Sequence, residues 1–145
     1  MADHSRIFVS CAVLMAAVFA PGESVRAHHA FTAQYDPDKT ATLSGVVVKV
    51  EWLNPHAYFF IDVEGDDGSV ATWACELTSP VGLMRQGWTR NSLAIGDVVE
   101  VEGALARDGS SSLNARSVLL TSTGQRLFGR SEREEAQVAP PVQSQ

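Results

Sequence analysis

The chain has 145 residues, a formal net charge of −6 and 45% hydrophobic residues, which fits one globular domain. The acidic balance argues against nucleic-acid binding, because phosphate contacts need clustered Lys and Arg and the basic residues here are scattered. There is also no Ser-His-Asp arrangement, Gly-rich phosphate loop, CxxC pair or HExxH motif. We therefore do not expect a hydrolase, and we assign no catalytic residue.

Residues 1–27 have the pattern of a secretory signal peptide. Arg6 supplies the basic start, and the apolar run Ile7 to Ala20 is too short to span a bilayer. Val25-Arg26-Ala27 then places tolerated residues at the −3 and −1 positions of a cleavage site. We predict cleavage near Ala27, a periplasmic or secreted location, and no membrane insertion after processing.

Residues 28–44 are polar and broken by Asp36-Pro37, so we predict an extended N-terminal arm. Two strands follow between Gly45 and Glu64, joined at Asn54-Pro55-His56. Each strand alternates apolar and polar residues, as strands do when one face lies in a core. The predicted core faces are Val46, Val48, Val50 and Trp52 on the first strand and Ala57, Phe59, Ile61 and Val63 on the second.

The next two elements are a third strand and a short helix. Asp66-Asp67-Gly68 is a hairpin signal that leads into a strand from Val70 to Leu77. Ser79-Pro80 then predicts the start of a helix, since Ser is a good N-cap and Pro fits the first helical turn. Gly87 is the predicted residue just after the helix.

The last elements are short strands. Two are predicted at Val98 to Leu105 and Ala115 to Leu120, with a final one around Arg126 to Phe128. Residues 129–145 are charged and then rich in Pro and Gln, which predicts a disordered tail. The order predicts an all-β fold with one short helix: a small five-stranded OB-like barrel over residues 45–128, with the helix between strands 3 and 4. A small β-sandwich is the alternative.

The cysteine and two of the glutamates have predictable surroundings. After cleavage Cys75 is the one cysteine left, so no internal disulfide can form. It shares a face with apolar neighbours, and we expect a small buried hydrophobic side chain. Glu51 and Glu76 lie on predicted outward faces and could supply a carboxylate to a site, but we expect solvated surface charges there.

Three histidines remain after cleavage, namely His28, His29 and His56. Cleavage after Ala27 frees an amine on His28, which can chelate a metal ion together with its own ring Nδ1. A second imidazole, from His29 or His56, would complete a nitrogen-rich site of the kind that favours Cu(II). Cleavage one residue earlier would instead give a terminus that can hold Cu(II) or Ni(II) in a square plane.

Simpler interpretations remain open for these residues. The His28-His29 pair would then be a solvated arm, and His56 would only cap its turn. A further alternative is a non-enzymatic binding module for an organic ligand or a partner protein. It would use Asn54, which Pro55 restricts to extended geometry, and an outer-face pair of aromatics. The aromatics of that pair are Tyr58 and Phe60, which the N-terminal arm could instead cover.

Several motifs occur together in order over roughly residues 28–128. They are His28-His29-Ala30-Phe31, Tyr35-Asp36, Gly45-Val46-Val47, Glu51 to His56 (Glu-Trp-x-Asn-Pro-His), Trp73, Ser79-Pro80, Gly87-Trp88, Gly96-Asp97 and Asn114-Ala115-Arg116. This combination resembles a family of small exported proteobacterial proteins classed as a domain of unknown function. The resemblance implies export and one small β domain. It implies no activity, so the metal hypothesis rests on the histidines.

Overall fold

The structure is a computed structural model that describes residues 33–130. This part of the chain forms six strands and one short helix. They are β1 (Tyr35–Glu51), β2 (Tyr58–Glu64), β3 (Val70–Glu76), α1 (Pro80–Arg85), β4 (Val98–Ala106), β5 (Ser112–Leu120) and β6 (Arg126–Phe128). The prediction of a small all-β fold, with one short helix between the third and fourth strands, is confirmed. Among residues 33–130 no helix has the length and apolar character of a membrane span.

Five of the strands form a closed ring of hydrogen bonds, in the order β1-β2-β3-β5-β4. The long β1 pairs antiparallel with both β2 and β4. A short parallel pairing of β3 with β5, from Ala74 to Glu76 on β3, closes the ring. The predicted five-stranded OB-like arrangement requires such a ring, whereas a β-sandwich would divide the strands between two sheets. Strand β6 pairs with β5 as a sixth strand.

The hydrophobic core lies inside this ring. The face predicted for β2 is confirmed, since Ala57, Phe59 and Ile61 are at most 1% exposed. Cys75 is fully buried beside them, as the sequence predicts. Burial of each large apolar side chain contributes about 1.5–3 kcal/mol to folding.

Strand β1 begins earlier than the sequence predicts. It starts at Tyr35, and residues 35–44, which the sequence analysis assigns to an arm, pair with β4. The pairing is irregular between Asp36 and Thr40. Pro37 lies in that irregular stretch, where its missing backbone N–H breaks no ladder bond.

The core face predicted for the middle of β1 is wrong. Val47 is fully buried, whereas Val46 and Val48 are 41% and 37% exposed. The pairing of β1 with β2 shifts between Val47 and Lys49, and one extra residue in a strand exchanges the faces of its side chains. Beyond this irregularity the alternation is reset, so Val50 and Trp52 do pack against the core as predicted.

Helix α1 has the predicted caps. The hydroxyl of Ser79 accepts a hydrogen bond from the backbone N–H of Gly82 at 3.2 Å. Gly87 follows the helix with a φ of 89°, a conformation that glycine adopts without strain. The indole of Trp88 donates to the carbonyl of Phe128 at 2.8 Å, which ties the end of the helix to β6.

The first residue of the predicted tail belongs to the fold. Gly129 is buried, donates to the carbonyl of Arg116 at 2.8 Å and accepts from Thr78 at 3.0 Å. Residues 131–145 of the predicted tail lie outside the described residues. So do the predicted signal peptide and the first residues of the predicted arm, which include His28 and His29.

Candidate functional site

Three polar side chains form a row across neighbouring strands. Tyr58 on β2 is the register partner of Glu76 on β3, and Glu76 is the register partner of Asn114 on β5. The adjacent row, formed by Phe59, Cys75 and Leu113, is fully buried in the core. Because side chains alternate along a strand, the polar row points away from that core.

Glu76 is nevertheless buried, with 4% of its surface exposed. Tyr35 reaches it from the start of β1 and donates its hydroxyl to Oε2 of Glu76 at 2.6 Å. The same hydroxyl lies 3.4 Å from Oγ of Ser112. The expectation that Glu76 is a solvated surface charge is therefore wrong, because its carboxylate is buried and accepts a hydrogen bond from Tyr35.

His56 contacts the other oxygen of the same carboxylate. Its Nδ1 is paired with Oε1 of Glu76, while half of its side chain remains exposed. The loop that carries it contains a cis peptide bond between Asn54 and Pro55. The end of the loop is fixed by the backbone of Ala57, which exchanges hydrogen bonds with the backbone N–H of Leu77 and the carbonyl of Thr78. These backbone hydrogen bonds fix the residue that directly follows His56.

The electrostatics of the cluster favour a charged carboxylate. Burial on its own raises the pKa of Glu76. Hydrogen bonds from His56, Tyr35 and Tyr58, together with the charge of a protonated His56, more than offset burial and hold that pKa below its ordinary value of 4.5. Glu76 is therefore an anion at neutral pH, with His56 on one carboxylate oxygen and Tyr35 on the other.

The two tyrosines are hydrogen-bond donors over the same pH range. Burial, followed by the hydrogen bond to Glu76, raises the pKa of Tyr35 well above its ordinary value. Burial and the charge of Glu76 raise the pKa of Tyr58 to about 12. Both hydroxyls keep their protons at neutral pH, as donation to a carboxylate requires.

The structure brings some of the predicted site residues together. Asn54 is exposed in the loop that carries His56, and Tyr58 is half-buried and is the register partner of Glu76. Phe60 is half-buried on β2, and the ammonium of Lys49 lies 5.1 Å from its ring centroid.

Of the three predicted metal ligands, His56 is the one that the structure describes. Residues 33–130 contain no group of three or more His, Cys, Asp or Glu side chains that could hold a metal ion.

The carboxylate of Glu76 holds the imidazole of His56 in one orientation. When His56 is neutral, a carboxylate at Nδ1 holds the ring proton on that nitrogen, so the ring lone pair is on Nε2. Such a ring can bind a metal ion or accept a proton. Cys75 takes no part, since its side chain lies in the core and burial raises the pKa of its thiol to about 12.

Sequence reasoning missed Tyr35, Glu76 and Asn114 as members of this cluster. The one sequence signal was the position of Glu76, a carboxylate between Cys75 and Leu77, both of which are buried. That signal is weak, because a strand with one solvated face has the same alternation.

Comparison with models of protein families identifies the family of this chain. The model of a family described as "Family of unknown function (DUF6152)" matches residues 16–114, more than half of the chain. A search of the curated proteins found no match. The matched span contains Tyr35, His56, Tyr58, Glu76 and Asn114, and so the whole cluster. The chain belongs to the DUF6152 family of unknown function.

Proposed function

We propose that this protein binds a transition-metal ion, with Cu(II) as the best candidate, through His56 and the N-terminal residues His28 and His29. The observation that carries the proposal is the contact between Nδ1 of His56 and the buried carboxylate of Glu76. Metal-bound histidines commonly donate their second ring N–H to a carboxylate, which fixes the ring and raises its basicity. The role would be binding, delivery or sensing of the metal.

In this proposal Glu76 supports the ligand and does not bind the metal. Its two oxygens accept from His56 and Tyr35, so a metal ion would meet Nε2 of His56 at the half-exposed ring. The charge of Glu76 would compensate part of the positive charge of the metal through the imidazole. A buried carboxylate whose pKa is held low is suited to that task.

The remaining ligands would come from the processed N-terminus. His29 precedes Tyr35 by six positions, and an extended chain spans at most about 22 Å over six residues. Tyr35 shares the carboxylate of Glu76 with His56, so a segment of this length would allow His29 to reach His56. The amine and ring of His28, with one or two further imidazoles, would give the nitrogen-rich set that favours Cu(II).

Calorimetric titration of Cu(II) into the processed, tag-free chain that begins at His28 tests the proposal. We expect His56→Ala to weaken binding by at least tenfold. Asn54→Ala, a change at the exposed neighbour in the same loop, should leave the affinity unchanged. Unchanged affinity in His56→Ala would refute a shared site. An added residue ahead of His28 should also weaken binding, and indifference to it would remove the amine from the ligand set.

A second candidate function is binding of an organic ligand or a partner protein at Asn54, Tyr58 and Phe60. The observation that favours it is that both rings are half-buried, so part of each remains accessible on one face. Chelator treatment separates the two functions. A metal site should lose thermal stability when it is stripped, by an amount set by the ratio of metal concentration to Kd. If the site binds an organic ligand instead, the chelator should leave the thermal stability unchanged.

A further inference from the structure

Four exposed apolar side chains lie together where β1 meets the start of β4. They are Val46 and Val48 on β1, Ile95 in the connection before β4, and Val98 at the first position of β4. Ile95 is 74% exposed and Val98 is 49% exposed. Val46 and Val98 are register partners, so their side chains lie on the same face of the sheet. We call these four residues the apolar patch.

The backbone of Val47 joins the two parts of the apolar patch. Its N–H donates to the carbonyl of Asp97 at 2.8 Å, and its carbonyl accepts from the N–H of Gly96 at 2.8 Å. The four patch residues directly flank these three residues in the sequence. The patch therefore stands on hydrogen-bonded backbone, so little ordering free energy would be lost when a partner binds to it.

Carboxylates lie beside the apolar patch. Asp62 on β2 is the register partner of Val46 and shares its face. Glu64 lies two residues further along β2, and Glu100 lies two residues after Val98 on β4, so both continue the same faces. Within residues 33–130 none of these three carboxylates takes part in an ion pair. Their negative charges are therefore not compensated by a neighbouring Lys or Arg.

These charges indicate which kind of partner fits the patch. Apolar side chains bordered by polar groups on an exposed face are typical of an interaction site. A second copy of this chain, whose net charge is −6, would bring like charges against the same carboxylates, and such contacts are unfavourable. Lys49, which follows Val48, would not offset them, because its ammonium is paired with Glu51. A basic partner is complementary to this surface.

We propose that the apolar patch binds a segment of another protein whose apolar side chains are flanked by Lys or Arg. Contact with the four apolar side chains would bury surface from water, and the three carboxylates would select for the positive charges. The patch includes none of the residues of the metal site and needs no metal ion. The inference therefore goes beyond the proposed function and is tested independently of it.

An NMR titration of the metal-free chain that begins at His28 tests the proposal, with a synthetic amphipathic helical peptide of Leu and Lys as the probe. We expect the largest changes in chemical shift at residues 46–48 and 95–98. The double variant Val46→Ser, Val98→Ser should weaken binding by about tenfold, because it removes apolar contact area at the centre of the patch. Val70→Ser is the matched control, since Val70 is exposed at the start of β3, and it should bind like the natural protein.

A second pair of variants tests the charges at positions that contribute nothing to the core. Glu64→Gln combined with Glu100→Gln should weaken binding by about threefold and reduce its dependence on salt. Asp38→Asn, at an exposed position near the start of β1, should leave the affinity unchanged. A peptide with Glu in place of each Lys should not bind.

Three outcomes would overturn the proposal. The first is the absence of binding, or shift changes that lie outside the patch. The second is an affinity that neither double variant alters, or equal binding of the peptide with Glu. The third is a different occupant: a dimer of the natural protein that Val46→Ser, Val98→Ser dissociates in sedimentation, or binding to phosphatidylcholine vesicles that the same variant abolishes.

Discussion

The hydroxyl of Tyr35 donates a 2.6 Å hydrogen bond to the carboxylate of Glu76, 41 residues further along the chain. This bond joins the first described strand to the third, across the short parallel pairing that closes the ring. It also places a second donor on the carboxylate that holds His56. Glu76 therefore belongs both to the strand pairing that closes the ring and to the candidate site, where it contacts His56.

Loss of the Tyr35 hydroxyl should lower the free energy of unfolding. Tyr35→Phe removes a donor from a buried charged acceptor, and hydrogen bonds of that kind contribute about 1.5–3 kcal/mol. We expect a fall of that size in the free energy of unfolding, measured by urea denaturation with an unchanged m-value. Tyr58→Phe, at a half-buried position, should cost less. A Tyr35→Phe variant within about 0.5 kcal/mol of the natural protein would contradict this role.

Glu76 should make the protein sensitive to acid. Its folded pKa lies below the ordinary value of 4.5, so its contribution to stability is complete above about that pH and is lost as the pH falls through the lower folded value. The slope of unfolding free energy against pH should therefore be shallower in Glu76→Gln below pH 4.5. Urea titrations at several pH values measure it.

Two other carboxyls contribute to the same slope and need a control. Hydrogen bonds from Ser69 and Ser110 lower the pKa of Asp67 and Asp108, respectively. Asp67→Asn, a change at an exposed turn, should alter the slope less than Glu76→Gln does. Equal slopes in Glu76→Gln and the natural protein would show that Glu76 is not preferentially stabilised as an anion.

Because the pKa values of Tyr35 and Tyr58 are raised, we expect the free energy of unfolding to fall at alkaline pH. The folded pKa of Tyr58 is about 12, against 10.0 for a free side chain, and that of Tyr35 is also raised. Their contribution is present below pH 10 and is lost as the pH rises from there through the folded values. Ultraviolet titration of the native protein should show both tyrosines ionising well above pH 10. Ionisation of either near pH 10 in the folded protein would contradict its bond to Glu76.

Cys75 should be unreactive in the native protein. It is fully buried and its thiol pKa is raised to about 12, so almost no thiolate is exposed to a reagent. We expect a thiol-specific reagent to label the processed chain only as it unfolds, at a rate that rises with urea. Cys75→Ser should cost about 1–3 kcal/mol, because it buries a hydroxyl in the apolar core, and Cys75→Ala serves as the comparison. Rapid labelling without urea would contradict the prediction.

The sequence predicted the parts of the fold that depend on local pattern. The alternation in β2 and β3 identified Phe59, Ile61 and Cys75 as core residues, and Ser79-Pro80 marked the start of α1. The faces of β1 were missed at Val46 and Val48, because the irregularity after Val47 depends on pairing with β2, which no local pattern reports.

The site was only partly predictable. His56 was identified because it follows Asn-Pro in a loop at the rim. Glu76 was assigned to the correct face, but alternation does not say what covers a face. The buried carboxylate is bonded to Tyr35, a contact that spans 41 residues of sequence. Asn114 was missed for the same reason, since its neighbour Glu76 comes from a strand that is distant in sequence.

The central claim is that the carboxylate of Glu76 orients the ring of His56 and raises its basicity, so that it binds a metal ion more tightly. The most direct measurement is the Cu(II) affinity of Glu76→Gln on the processed chain, with Glu64→Gln, at the exposed end of β2, as the matched control. We predict that Glu76→Gln weakens binding by about 10- to 100-fold, while Glu64→Gln binds like the natural protein. Equal affinity in Glu76→Gln and the natural protein, with both folded, would contradict the account.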